Sequence, residues 1–206
     1  MFIITLIYKE RDMIWHRLDR DKTIDMIGRV KSAAEAMLFT PVTSEAKCTR
    51  LPFLKSFLLY RLTNFSSLPT FSMDFISNGD SFYYMDGADT AIRQMVDMGE
   101  LDLNEDNILA YLNFYYCYVR LPEGEIILLK NVDEAPNIDL YDTERRELLD
   151  MVPEGVQIQR DGESGGFQIL APALYDSSPM EVLMTVSKDG QVLTSPKRML
   201  TLENLQ

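Results

Sequence analysis

The sequence predicts an α+β fold: a mostly antiparallel sheet with a central helix at about 105–120 packed on it, followed by a β-rich carboxyl-terminal part. Three observations predict it. Apolar residues recur at spacings of three and four in the stretches 21–38 and 105–120, as one face of a helix requires. Short aromatic and branched runs are punctuated by Asn78-Gly79, Asp161-Gly162 and Asp189-Gly190, pairs that tolerate positive φ and so favour hairpins. Strands, helices and strands follow one another in blocks, which fits an antiparallel sheet better than a doubly wound parallel one. The length of 206 residues and the absence of a long linker predict a single domain, 1–206.

The opening run Met1 to Tyr8 reads as a strand or a core-packing extension; it is too short to cross a bilayer and lacks the basic leader and cleavage site of a signal peptide. A first helix is expected from Asp21 or Thr23 to about Leu38, with Ile27, Val30, Ala34, Met37 and Leu38 on one stripe and Thr40-Pro41 as its stop. Thr43 to Arg50 reads as an exposed polar loop containing Cys48. Phe57 to Leu62 and Phe71 to Ile76 read as adjacent strands across the turn-rich Asn64 to Pro69, and Ser77-Asn78-Gly79-Asp80 leads by a tight hairpin into a third strand at Phe82 to Met85.

Two helical segments follow. One runs from Ala91 to Met98 and ends at Gly99. The other runs from Glu105 to Arg120 after Asn104, with Ile108, Leu112, Tyr115, Tyr116 and Val119 on its buried face. Glu125 to Lys130 reads as a strand returning to the sheet. An acidic connector (Asp133, Glu134, Asp139, Asp142) leads to a short helix at Thr143 to Met151, stopped near Pro153-Glu154-Gly155. Strands are then expected at Val156 to Arg160, Phe167 to Leu174, Glu181 to Ser187 and Gln191 to Thr194.

The charge is unevenly distributed. The chain carries 20 basic and 32 acidic residues, a net −12; residues 74–150 alone carry 5 basic and 18 acidic groups, whereas residues 1–73 carry 11 and 7. A net negative field opposes phosphate backbones, so neither nucleic acid nor membrane is an expected partner. The two cysteines, Cys48 and Cys117, show no Cys-x-x-Cys spacing and His16 is the sole histidine, so neither a zinc site nor a disulfide framework is indicated and a reducing cytoplasm is the expected location.

Several short patterns imitate known chemistry. Gly162-Glu163-Ser164-Gly165-Gly166 satisfies G-x-S-x-G, but a nucleophile elbow needs a helix after it and a later histidine, and this segment reads as a hairpin turn. Ser44-Glu45-Ala46-Lys47 satisfies S-x-x-K without the accompanying motifs of that chemistry. Cys48, beside Lys47 and Arg50, is the more exposed thiol candidate, and Cys117 reads as core packing. Asp102 to Asp106 imitates half a calcium loop but reads as helix capping; Asp80, Asp86 and Asp89 read as turn residues; Asn64-Phe65-Ser66 reads as a turn that happens to form a sequon. No phosphate-loop, dinucleotide or metalloprotease fingerprint occurs, so no cofactor and no metal is expected.

These features favour a non-enzymatic cytoplasmic binding or regulatory protein that meets a basic protein partner through an acidic face including Asp97, Glu100, Asp102, Asp133, Glu134 and Asp139. The alternative is a small-molecule binder or enzyme with a tyrosine-lined pocket between the 105–120 helix and the sheet, built from Tyr83, Tyr84, Asp86, Asp89, Tyr111 and Tyr115. Homo-oligomerisation through the edge of the last hairpin or through Met1 to Tyr8 is compatible with either.

Overall fold

A computed structural model of the chain describes residues 13–30, 38–66, 68–122, 124–129, 143, 156–162, 164–175 and 178–200. The acidic connector at 131–142, the second half of the first expected helix at 31–37, the run Met1 to Tyr8 and, apart from Thr143, the expected helix at 143–151 lie outside the described residues. Two compact units divide at Asp102 and Leu103.

The first unit is an antiparallel five-stranded meander, β1 (His16–Arg17), β2 (Ser44–Arg50), β3 (Leu58–Asn64), β4 (Phe71–Ser77) and β5 (Phe82–Tyr84), with the strands side by side in chain order. Register places Ala46, Leu62 and Met73 in one cross-strand row. Against that face α1 (Arg20–Val30) buries Met26, Ile27 and Val30, joined by Phe39 and Phe75. The helix begins where Asp19 accepts the Lys22 backbone N–H at 2.9 Å, the capping geometry that satisfies an orphan donor of the first turn. The β4–β5 hairpin forms as the Asn-Gly pair predicts: Asn78 Oδ1 accepts from the backbone of Asp80 and Ser81, both at 3.0 Å, and Gly79 takes φ +95°. A further helix, α2 (Thr90–Asp97), buries Ala91, Ile92 and Met95.

One expectation is corrected here. Thr43 to Arg50 is not an exposed loop: Ser44 to Arg50 is the seven-residue strand β2, paired along its length with β3. Polar side chains on both faces of this strand hide the period-two signal. Ser44 and Ala46 are buried on one face and Thr49 on the other, while Lys47 finds a place beside Arg61. Leu38, expected on the first helix's apolar stripe, is exposed.

The second unit contains α3 (Ile108–Tyr118), the predicted central helix, and a second antiparallel sheet ordered β10 (Val192–Met199), β9 (Ser178–Val186), β8 (Phe167–Tyr175) and β6 (Ile126–Leu128). A short strand, β7 (Gln157–Arg160), pairs with the first half of β8, while β6 pairs with its second half. Phe167, Ile169 and Ala171 of β8 and Val182, Met184 and Val186 of β9 are buried on one face of this sheet. From α3 the Tyr111 hydroxyl donates to the Gly190 carbonyl in the β9–β10 turn, and the Tyr116 hydroxyl bonds Thr194 Oγ1 of β10 at 2.7 Å. The helix starts later than Glu105 because Asn104 and Asn107 form a local turn: Asn104 Oδ1 accepts from Asp106 N, and Asn107 Oδ1 accepts from Asn104 N. The last strand runs past its expected end at Thr194, since an irregularity between Pro196 and Arg198 lets an edge strand carry a proline. Among the described residues no helix is long and apolar enough to cross a membrane.

Candidate functional site

The acidic residues of the first unit sit on a braced segment. The backbone N–H groups of Met98 and Gly99 bond the Gln94 and Val96 carbonyls to close α2, and Gly99 takes φ +70°. The segment is then tied to the 53–56 loop: Lys55 N donates to the Glu100 carbonyl at 3.1 Å, Asp102 N to the Phe53 carbonyl at 2.9 Å, and Lys55 Nζ to the Gly99 carbonyl. The Glu100 carboxylate accepts from both the backbone and hydroxyl of Ser56, at 2.8 and 2.9 Å. Asp97 and Asp102 are exposed and Glu100 is half-buried. Asp133, Glu134 and Asp139, expected on the same face, lie outside the described residues.

The residues of the expected tyrosine pocket divide between the two units. Tyr83 and Tyr84 lie on β5, followed by Asp86 and Asp89; Tyr111 and Tyr115 lie on α3. Tyr83 is half-buried, with its ring 6.2 Å from Phe57, and Tyr84 is partly exposed, with its ring 5.6 Å from Phe75. Asp86 accepts from Ala88 N at 2.9 Å, and Asp89 pairs with Arg93 at 2.7 Å one helical turn on. Tyr111 is fully buried, its hydroxyl spent on Gly190, and buried Tyr115 packs between the Tyr111 and Tyr116 rings. On α3 these tyrosines are core groups, and the polar tip of Tyr111 is satisfied.

The imitated motifs resolve into structural roles. Ser44 and Lys47 are an odd number of residues apart on a strand and so face opposite sides of the sheet; Ser44 Oγ accepts from Thr40 N at 3.2 Å. Cys48 is half-buried on β2 rather than exposed in a loop, and burial pushes its thiol up, opposed by the charge of Lys22. Asn64 is buried, donating from Nδ2 to the Leu38 carbonyl at 2.7 Å and accepting from the Ser66 backbone and hydroxyl at 2.8 Å, so its sequon serves as a turn.

Gly162 to Gly166 connects β7 to β8, with Ser164 Oγ donating to Asp161 and accepting from Gly166 N. A Cβ on Gly166 would stand 2.5 Å from the Val186 backbone carbonyl, so the glycine serves close approach of two strands. Gly166→Ala is expected to cost about 1–3 kcal/mol through overpacking against backbone, read as a lowered urea midpoint. Ser164→Ala, which clashes with nothing, is expected to cost well below that.

Sequence reasoning missed a charged row on the first sheet. Arg17, Lys47, Arg61 and Asp74 are cross-strand partners on β1 to β4 and therefore share a face. Asp74 accepts from Arg61 Nε and Nη2 at 2.6 and 2.7 Å, with the two side chains only 12% and 6% exposed. The Trp15 ring centroid lies 4.4 Å from Lys47 Nζ and 5.1 Å from Arg61 Cζ, within cation–π range. The Trp15 indole nitrogen is buried without a hydrogen-bond partner. Burial lowers the Lys47 pKa, opposed by the charge of Asp74. Nearby, a cleft of about 410 Å³ is lined by residues that include Arg17, Arg20, Val42 and Glu45, and Arg17 forms an ion pair with Glu45 across it. No signal in the linear sequence joins Trp15 to residues 32, 46 and 59 positions later; only strand register does. No protein-family model, no curated protein and no solved structure matches the chain.

Proposed function

We propose that this chain is a non-enzymatic, cytoplasmic binding or regulatory protein that takes a basic protein partner on the acidic segment following α2. The observation that supports the reading is the bracing of that segment: exposed Asp97 and Asp102 flank Glu100 on a segment whose backbone bonds Phe53 and Lys55 and whose Glu100 carboxylate accepts from Ser56. Carboxylates on an ordered segment meet a cationic partner without an ordering cost, and their field speeds encounter. Solubility alone would need no such bracing.

The test is titration of the full chain with a Lys/Arg-rich peptide at low and high salt, alongside the Asp97→Asn, Asp102→Asn double variant. Glu100 is left intact because Ser56 depends on it. Expected is saturable binding at low salt that disappears at high salt, with association slowed about tenfold in the double variant. Binding at neither salt, or binding that the two substitutions leave unchanged, would sink the reading.

A further inference from the structure

We propose that the outer edge of β10 is a self-association surface, pairing antiparallel with β10 of a second copy of this chain about a two-fold axis at Leu193. This surface belongs to the second unit and is independent of the acidic segment. Ser187 N donates to the Gln191 carbonyl, and the same register pairs Leu193 with Thr185 and Ser195 with Leu183. Hydrogen-bonded pairs alternate along an antiparallel ladder, so Leu193 and Ser195 turn their backbone groups toward β9, while Val192, Thr194 and Pro196 turn theirs outward. Among the described residues β10 is paired on its β9 side and ends the sheet on the other. The outward N–H and C=O groups of Val192 and Thr194 therefore form a template for another strand.

The edge is complementary to itself in three respects. With Leu193 opposite Leu193 of the second copy, Val192 of each chain faces Thr194 of the other, and backbone hydrogen bonds in both directions satisfy every outward group of these two residues. Pro196, which has no N–H to offer, falls outside that exchange. Leu193 is 71% exposed, on the face opposite the one where Thr194 bonds Tyr116. The axis sets it against its own copy at a non-hydrogen-bonded position, where side chains approach most closely and both leucines lose water. Charge follows the same symmetry: the edge starts beside Asp189 and runs to Lys197, and antiparallel pairing brings each end to the opposite sign on the second copy. Parallel pairing would set like ends together. A two-fold closes after two chains, so the edge is consumed rather than propagated.

Sedimentation equilibrium of the full chain from about 1 μM to about 1 mM tests the pairing, a range that suits so narrow an interface. Expected is a reversible rise from the chain mass of 23.7 kDa toward twice that value. Leu193→Lys sets two ammonium groups against each other across the axis and is expected to weaken the dimer about tenfold. Leu193→Cys tests the register, because residues at a non-hydrogen-bonded position stand about 4.5 Å apart at Cα, within disulfide reach. Oxidised glutathione is expected to yield a covalent dimer of Leu193→Cys that reductant reverses. Ser195→Cys, whose site faces Gln191 of the second copy, and the wild type, whose Cys48 and Cys117 are half-buried, are expected to stay uncrosslinked. Circular dichroism establishes that each variant is folded; if Leu193→Lys does not fold, the cross-linking pattern decides. A chain that stays monomeric over the whole range overturns the proposal and leaves the edge to a foreign strand. A dimer that folded Leu193→Lys leaves unchanged, or cross-linking of Ser195→Cys equal to that of Leu193→Cys, overturns it as well.

Discussion

Asp74→Ala is expected to destabilise the first unit by about 3–5 kcal/mol, because it leaves the Arg61 guanidinium buried without its bidentate counter-ion. Lost attraction is not the main cost. Arg61 is 6% exposed, so water cannot replace the carboxylate that held it, and the desolvation penalty already incurred on folding loses the counter-ion that offset it. Equilibrium urea unfolding followed by Trp15 emission measures the effect, since the indole lies over Arg61. The double change Arg61→Met, Asp74→Leu is the informative partner. Replacing both charges by apolar groups removes the desolvation penalty together with the attraction, so this variant is expected to recover most of the lost stability. Equal losses in the single and double variants would show that the site depends on packing around Arg61 rather than on charge pairing.

Phe75→Ala is expected to cost about 3–5 kcal/mol, the range for truncating a buried aromatic in a close-packed core. Phe75 is 1% exposed, belongs to the cluster that α1 closes, and lies 6.1 Å from the Phe82 ring and 5.6 Å from the Tyr84 ring. Removing it opens a cavity beneath β5 and withdraws the edge-to-face contact that seats Phe82. Phe75→Leu refills much of that volume and is expected to cost less than half as much. Urea midpoints at constant slope test both, and a loss under 1.5 kcal/mol for Phe75→Ala would mean that β4 and β5 collapse onto the space.

The two variants probe opposite faces of one sheet, and these faces differ in legibility. The Phe75 face was readable: aromatic and branched runs at 57–62 and 71–76, the Asn78-Gly79 pair and the periodic apolar residues of the first helix all belong to local patterns, and they reappear as β3, β4, the β4–β5 hairpin and α1. The Asp74 face was not. Lys47, Arg61 and Asp74 carry the composition of solvated positions, and a polar strand with polar neighbours has no alternation to betray it. That is why Ser44 to Arg50 reads as a loop from sequence and stands as a central strand in the fold.

The candidate sites divide in the same way. Asp97, Glu100 and Asp102 were nameable because charge is a property of composition, but their bracing by Ser56, Lys55 and Phe53 joins segments 44–49 residues apart. Tyr111 and Tyr115 were nameable as aromatic; burial and the bond to Gly190 decide that on α3 they pack.

By itself the sequence determined the α+β class, the antiparallel hairpins, the central helix and the concentration of negative charge in the middle of the chain, because turn chemistry, periodicity and charge act within a few residues. Only the tertiary structure decided that the strands form two sheets, that β2 exists, and that Trp15 lies over Lys47 and Arg61. The physical reason is register. Which residues share a face across neighbouring strands depends on pairings between distant segments, and a shift of one residue would send Lys47 to the side of the sheet that α1 covers.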